Sequence, residues 1–101
     1  MLDTVQELNL ITTHPDVRGG RSYIVGTTVT VSDIIIAKLY HEQDSDGIAS
    51  WYNLTLSQVY AALTHYYVFK DEIDQQIRRQ IKRATAVKEQ RLGNQNSILS
   101  R

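Results

Sequence analysis

The sequence predicts a mainly α protein: an N-terminal β-hairpin, a tri-helical core with a helix-turn-helix corner, and a long C-terminal helix. Three observations carry this. Tyr, Ile, Val and Thr crowd residues 21–31 around one Gly-Thr pair. A capped amphipathic stretch over 55–69 follows a short helix and a tight connector. An isoleucine stripe then runs through a basic segment over 70–90.

Residues 8–13 predict a first short strand. Pro15 biases His14 toward extended backbone, and Gly19-Gly20 marks a turn. Residues 21–25 and 28–31 predict the two arms of the hairpin, joined by Gly26-Thr27. A Gly-X pair suits a type II′ turn, because glycine alone enters its first central position without strain. Ser32 predicts the N-cap of a helix over 33–43, with Asp33 at its positive end. Ile35, Ile36 and Leu39 form its inner face, and residues 44–47 end it.

A short helix over 46–52 carries Ile48, Trp51 and Tyr52, and Asn53-Leu54 connects it onward. Thr55 and Gln58 predict a capping box, in which each side chain satisfies the other's orphan backbone donor. The helix they open places Leu56, Val59, Tyr60, Leu63 and Tyr67 at helical spacing. Ala49 is small where the two helices need close approach, and Leu54 plugs their angle. With the preceding helix these segments form the tri-helical core of helix-turn-helix domains. On the last helix Ile73, Ile77, Ile81 and Ala84 share one face, while Arg78, Arg79, Lys82 and Arg83 populate the rest. Residues 1–92 predict one domain, and the Asn/Ser/Gln-rich residues 93–101 a flexible tail.

Composition narrows the function classes. The chain has 101 residues, 42 % of them hydrophobic, which suits one small domain. It has no cysteine, which removes disulfides, thiol nucleophiles and the usual structural zinc sites. His14, His41 and His65 fall on separate elements without ligand spacing. No metal, no cofactor and no enzymatic activity are expected, since no acid, base and nucleophile converge. Gly19-Gly20 and Gly26 precede a strand with no Lys-Ser/Thr, so they form no phosphate loop. Residues 1–10 carry Asp3 and Glu7 without a cation, unlike a signal peptide. No apolar run approaches membrane-spanning length. The expectation is a cytoplasmic protein.

The zero net charge is asymmetric. Residues 1–69 hold three cations against seven acids, a net −4, and residues 70–101 a net +4. Outward residues of the would-be recognition helix are Ser57, Gln58, Ala61, Ala62 and His65. Gln58 suits bidentate contact with adenine and Ser57 a phosphate or base edge. That helix has no Lys or Arg, and phosphate contacts need cations. DNA binding would then depend on Arg18, Arg21 and the basic face Arg78, Arg79, Lys82 and Arg83. The stripe Ile73, Ile77, Ile81, Ala84 exceeds what a tri-helical core covers, which predicts a homodimer or partner interface. The aromatic residues Tyr40, Trp51, Tyr52, Tyr60, Tyr66, Tyr67 and Phe69 read as core and interface. Asp71, Glu72 and Asp74 read as residues favoured at a helix start.

Residues 19–34, Gly-Gly-Arg-Ser-Tyr-Ile-Val-Gly-Thr-Thr-Val-Thr-Val-Ser-Asp-Ile, resemble the opening of a bacterial family, domain of unknown function 433. Ile48-Ala49, Leu54-Thr55, residues 58–63, Tyr66-Tyr67 and residues 71–74 resemble its second half. The resemblance implies a homeodomain-like or winged helix-turn-helix fold. It implies a VapB-type antitoxin or transcriptional regulator, a PIN-like ribonuclease toxin as partner, and operator DNA. Ser22 stands where that family usually has Pro, and Thr28 where it usually has Arg, so a contact made by that Arg is lost here. The alternative is a protein-interaction module whose helix-turn-helix no longer binds DNA.

Overall fold

A computed structural model describes residues 9–99, with side chains as far as residue 91. Residues 1–8 of the expected domain, which include Leu8 of the expected first strand, and the last two residues of the expected tail lie outside the described residues. The elements are β1 (Ile11–Thr12), a 3-10 turn (Arg18–Gly20), β2 (Tyr23–Ile24), α1 (Val31–Leu39), α2 (Ser45–Tyr52), α3 (Leu56–Val68) and α4 (Lys70–Leu99). The protein is mainly helical, with a short antiparallel sheet ahead of the helices.

The sheet pairs β1 with β2, Ile11 opposite Ile24 and Thr12 opposite Tyr23. The predicted hairpin survives as a narrower structure. Its second arm contributes one bridge, Tyr23 to Thr30, and the Ile24 N–H donates to Val29 O at 2.9 Å. The turn also differs from expectation. Thr27 N–H donates to Ile24 O, and Gly26 has φ +80°, which puts glycine in the second central position, as in a type II turn. A Cβ added at Gly26 would meet nothing within 4 Å, so glycine is needed there for its backbone angle and not for space.

Helix α1 starts two residues earlier than predicted. Thr30, not Ser32, is the N-cap: its Oγ1 accepts from Asp33 N–H at 3.0 Å, and Asp33 Oδ2 accepts from Thr30 N–H at 3.1 Å. Ser32 is a buried residue of the first turn. The inner face is Val31, Ile34, Ile35 and Ala37, with Ile36 half-buried and Leu39 exposed. Asp44 caps α2, and α2 ends at Asn53 in the left-handed conformation, φ 55°. Leu54 N–H then closes back on Ala49 O at 2.8 Å, the bond of a Schellman ending. Leu54 and Ala49 pack against the core as the corner requires.

The capping box of Thr55 and Gln58 forms as predicted. The buried stripe of α3 is not the predicted one: Val59, Ala62 and Tyr66 are buried, Leu63 is partly so, and Leu56, Tyr60 and Tyr67 are exposed. Ala62, expected outward, is core. The core joins Ile24, Val31, Ile34, Ile35, Ile48, Val59, Tyr66, Ile73 and Ile77 from every helix and the sheet. Of the aromatic residues only Tyr66 is buried, and Tyr52 packs at the core's edge. Helix α4 continues past the expected end at Gln90, so at 1.5 Å per residue it is about 45 Å long. Its first two turns are held in the core by Ile73 and Ile77, and residues 81–91 are exposed.

Candidate functional site

The outward face of α3 is not an open ridge. Strand β1 lies beside it, and Leu10 and Ile11 wall a cleft of about 600 Å³ whose other side is Ser57, Tyr60, Ala61 and His65. Ser57 is exposed there, while Ala61 and His65 are half-buried. Gln58 Oε1 accepts from Thr55 N–H at 2.8 Å and lies 3.3 Å from Thr55 Oγ1, so its carboxamide oxygen is engaged in the cap. Bidentate contact with adenine needs that oxygen and the amide nitrogen together. His65 Nε2 lies 3.1 Å from Ser22 Oγ, and its ring packs at a tilt against Phe69, with centroids 4.7 Å apart. Burial pushes the His65 pKa below its ordinary 6.5, with Glu72 partly opposing, which favours the neutral ring.

The two N-terminal arginines are tied into the molecule. Arg18 faces Asp33 at 3.5 Å and donates Nη1 to the carbonyl of Thr28 at 3.3 Å. Arg21 donates Nε to Arg18 O at 2.8 Å and Nη1 to Gln80 Oε1 at 2.9 Å. Gln80 is the hub of this network. Its Oε1 also accepts from Ser32 Oγ at 3.0 Å, and its Nε2 donates to Asp33 Oδ1 at 2.8 Å. One side chain of α4 thereby joins the 3-10 turn to the first turn of α1. The buried Ser32 and Thr30 hydroxyls, 2.9 Å apart, complete it. Burial, then Arg18, hold the Arg21 guanidinium below its ordinary pKa, with Asp33 opposing and Arg83 adding to the depression. The hub was not among the expected site residues. Its available signal is spacing: Gln76 and Gln80 fall beside Ile73 and Ile77 on the helix, at a basic segment's only polar uncharged positions before Thr85 other than Gln75.

The expected interface stripe divides. Ile73 and Ile77 are enclosed in this chain's own core, at 0 % and 3 % exposure, and are not available to a partner. Ile81 is 36 % exposed, and with Ala84, Ile36 and Tyr40 it lines a groove of about 350 Å³ between α1 and α4. The basic residues Arg78, Arg79, Lys82 and Arg83 are all exposed on α4. At the end of α3, Tyr67, Val68 and Phe69 form a consecutive exposed apolar run. At the junction of α3 and α4, Asp74 accepts from Tyr66 Oη and Lys70 Nζ, each at 2.8 Å. These bonds, Lys70 first, hold the Asp74 carboxyl below its usual range.

Among the described residues no group of three or more His, Asp or Glu side chains is placed to hold a metal ion. Among them also, no helix is long and apolar enough to cross a membrane. A family model described as "Protein of unknown function (DUF433)" matches residues 11–66. No curated protein and no solved structure matches the chain.

Proposed function

This chain belongs to the family described as protein of unknown function (DUF433), and we propose that it is a non-enzymatic protein-interaction module built on a helix-turn-helix fold. The observation that carries this reading is the exposed apolar run at the end of α3. Tyr67, Val68 and Phe69 are 65 %, 68 % and 47 % exposed in sequence, and contiguous exposed apolar surface marks a partner site. The groove of Ile36, Tyr40, Ile81 and Ala84 adds a second such surface for a homodimer. The outward face of α3 has no cation and is flanked by β1, which argues against that helix lying alone in a DNA groove.

A second reading is a VapB-type antitoxin and transcriptional regulator of a bacterial toxin–antitoxin pair, using its helix-turn-helix in the homeodomain-like or winged manner. The gathering of Arg18, Arg21, Arg79 and Arg83 on one side favours it. In that reading Arg18, Arg21 and the α4 cations meet phosphates, while Ser57, Gln58, Ala61 and His65 face bases. The discriminating experiment mixes the purified protein with the protein encoded beside it, and separately with its own promoter. A stable complex, with no mobility shift of the promoter at low salt, supports the module. A shift whose affinity falls with salt, by a log–log slope of about −0.9 per phosphate contact, supports the regulator and removes the module.

A further inference from the structure

The 3-10 turn and α4 enclose a cleft of about 290 Å³. Arg18 and Arg21 reach it from the turn, and Arg79 and Arg83 from α4, with Gly19 and Gly20 between. Residues 76, 79 and 83 share one helix face by their spacing, so the α4 wall is one glutamine and two arginines. Asp33 is the carboxylate that meets this group, and it pairs with Arg18. Among the described residues no ion pair engages Arg21, Arg79 or Arg83. Three unbalanced guanidinium groups around one concavity repel one another, and an anion entering it relieves that repulsion. The Arg21 pKa is lowered first by burial and then by Arg18, with a smaller part from Arg83 and with Asp33 opposing.

A second, independent feature lies in the same wall. Gln76 Oε1 is buried and has no hydrogen-bond partner. A buried polar atom left unpaired is costly, and the two ends of a carboxamide exchange by a simple flip. Gln76 also lines the cleft, so its unsatisfied carboxamide belongs to the cation-lined wall. We propose that this cleft binds a phosphate group, held by the guanidinium forks of Arg21, Arg79 and Arg83 with Gln76 as the neutral contact. Arginine forks match a tetrahedral oxyanion by paired N–H···O bonds, and a group with three or four oxygens engages several forks where a planar carboxylate engages one. The inference uses cations that the regulator reading also uses, but it does not rest on that reading, since a free phosphate group fills the cleft without a partner protein or a duplex.

The test titrates the full chain with inorganic phosphate at constant ionic strength, balanced with chloride, and follows the backbone amides and arginine Nε–H signals by NMR. The expected result is saturable change at Gly19, Gly20 and the arginines of the cleft, with Lys88 and Arg91 unmoved. The double variant Arg79→Gln/Arg83→Gln should weaken binding at least tenfold, equivalent to about 1.4 kcal/mol. Both side chains are exposed, so the variant should keep its fold, as far-UV circular dichroism checks. Gln76→Leu should leave the protein folded and also weaken phosphate binding. Change that never saturates, change equal to that caused by acetate, or undiminished affinity in the double variant would overturn the proposal. Dimethyl phosphate identifies the source: weaker binding than inorganic phosphate assigns the site to a phosphate monoester, and equal binding to a nucleic-acid backbone.

Discussion

Replacing Gln80 with Met keeps an unbranched side chain of similar length and removes every hydrogen bond the hub makes. Three contacts go at once: Arg21 Nη1–H and Ser32 Oγ–H no longer donate to Gln80 Oε1, at 2.9 and 3.0 Å, and Gln80 Nε2–H no longer donates to Asp33 Oδ1, at 2.8 Å. The groups left behind are not equally stranded. Ser32 is fully buried but keeps Thr30 Oγ1, and Asp33 keeps Thr30 N–H and Arg18. Arg21 keeps the carbonyl of Arg18. Each lost bond is worth about 0.5–1.5 kcal/mol between neutral groups and about 1.5–3 kcal/mol when one is charged, before water replaces part of it. Arg21 and Asp33 are only half-buried, so water compensates both, and the net loss should be about 2–3 kcal/mol. For a chain of this size that lowers the midpoint of thermal unfolding by about 10–20 °C. Circular dichroism measures the midpoint, and a cycle with Arg21→Met isolates one contact, with an expected coupling of about 0.5–3 kcal/mol. A midpoint lowered by less than about 4 °C, or additive effects in the cycle, would refute the network as the tie between α4 and α1.

Ile77 and Ile81 should separate core from interface. Ile77→Asp buries a charge at a 3 % exposed position and should unfold the chain, whereas Ile81→Asp should leave it folded and shift a dimer toward monomer in light scattering; a wild-type monomer at micromolar concentration would sink the dimer. Gly26→Val forces a β-branched residue to φ +80° and should lower stability by about 1–3 kcal/mol, with an unchanged thermal midpoint pointing to another turn geometry. His65 has a folded pKa below its ordinary 6.5 because burial disfavours the charged ring. Its stabilising contribution is therefore present above pH 6.5 and is lost as pH falls from there toward the folded value, because the unfolded chain takes up the proton first. His65→Asn should flatten the unfolding midpoint across that window, and an identical pH profile in the variant would exclude His65 as the cause.

What the sequence determined by itself is what short-range physics decides. Thr55 and Gln58 are three residues apart, and their mutual cap needs nothing beyond that turn of helix. Gly26 lies in a turn because glycine tolerates positive φ, although its turn type depends on which residues pair across it. The presence and order of the four helices, the corner at Asn53-Leu54 and the basic face of α4 follow from local composition in the same way. Which side of α3 turns inward does not. Apolar residues surround that helix, so Leu56, Tyr60 and Tyr67 fit the helical period as well as Ala62 and Tyr66 do, and the packing of α1, α2 and α4 against it selects the latter pair. The N-cap of α1 was ambiguous for a related reason. Thr30 and Ser32 both suit a cap; Thr30 makes it through a local box with Asp33, while Ser32 is buried and bonds to Gln80, 48 residues away in sequence. The strand that pairs with β2, the cleft where Arg21 meets Arg79 and Arg83, and the burial of Ile73 and Ile77 are likewise contacts between distant segments. Their energies depend on the assembled core, and a periodicity read along one helix contains no information about which neighbour will cover it.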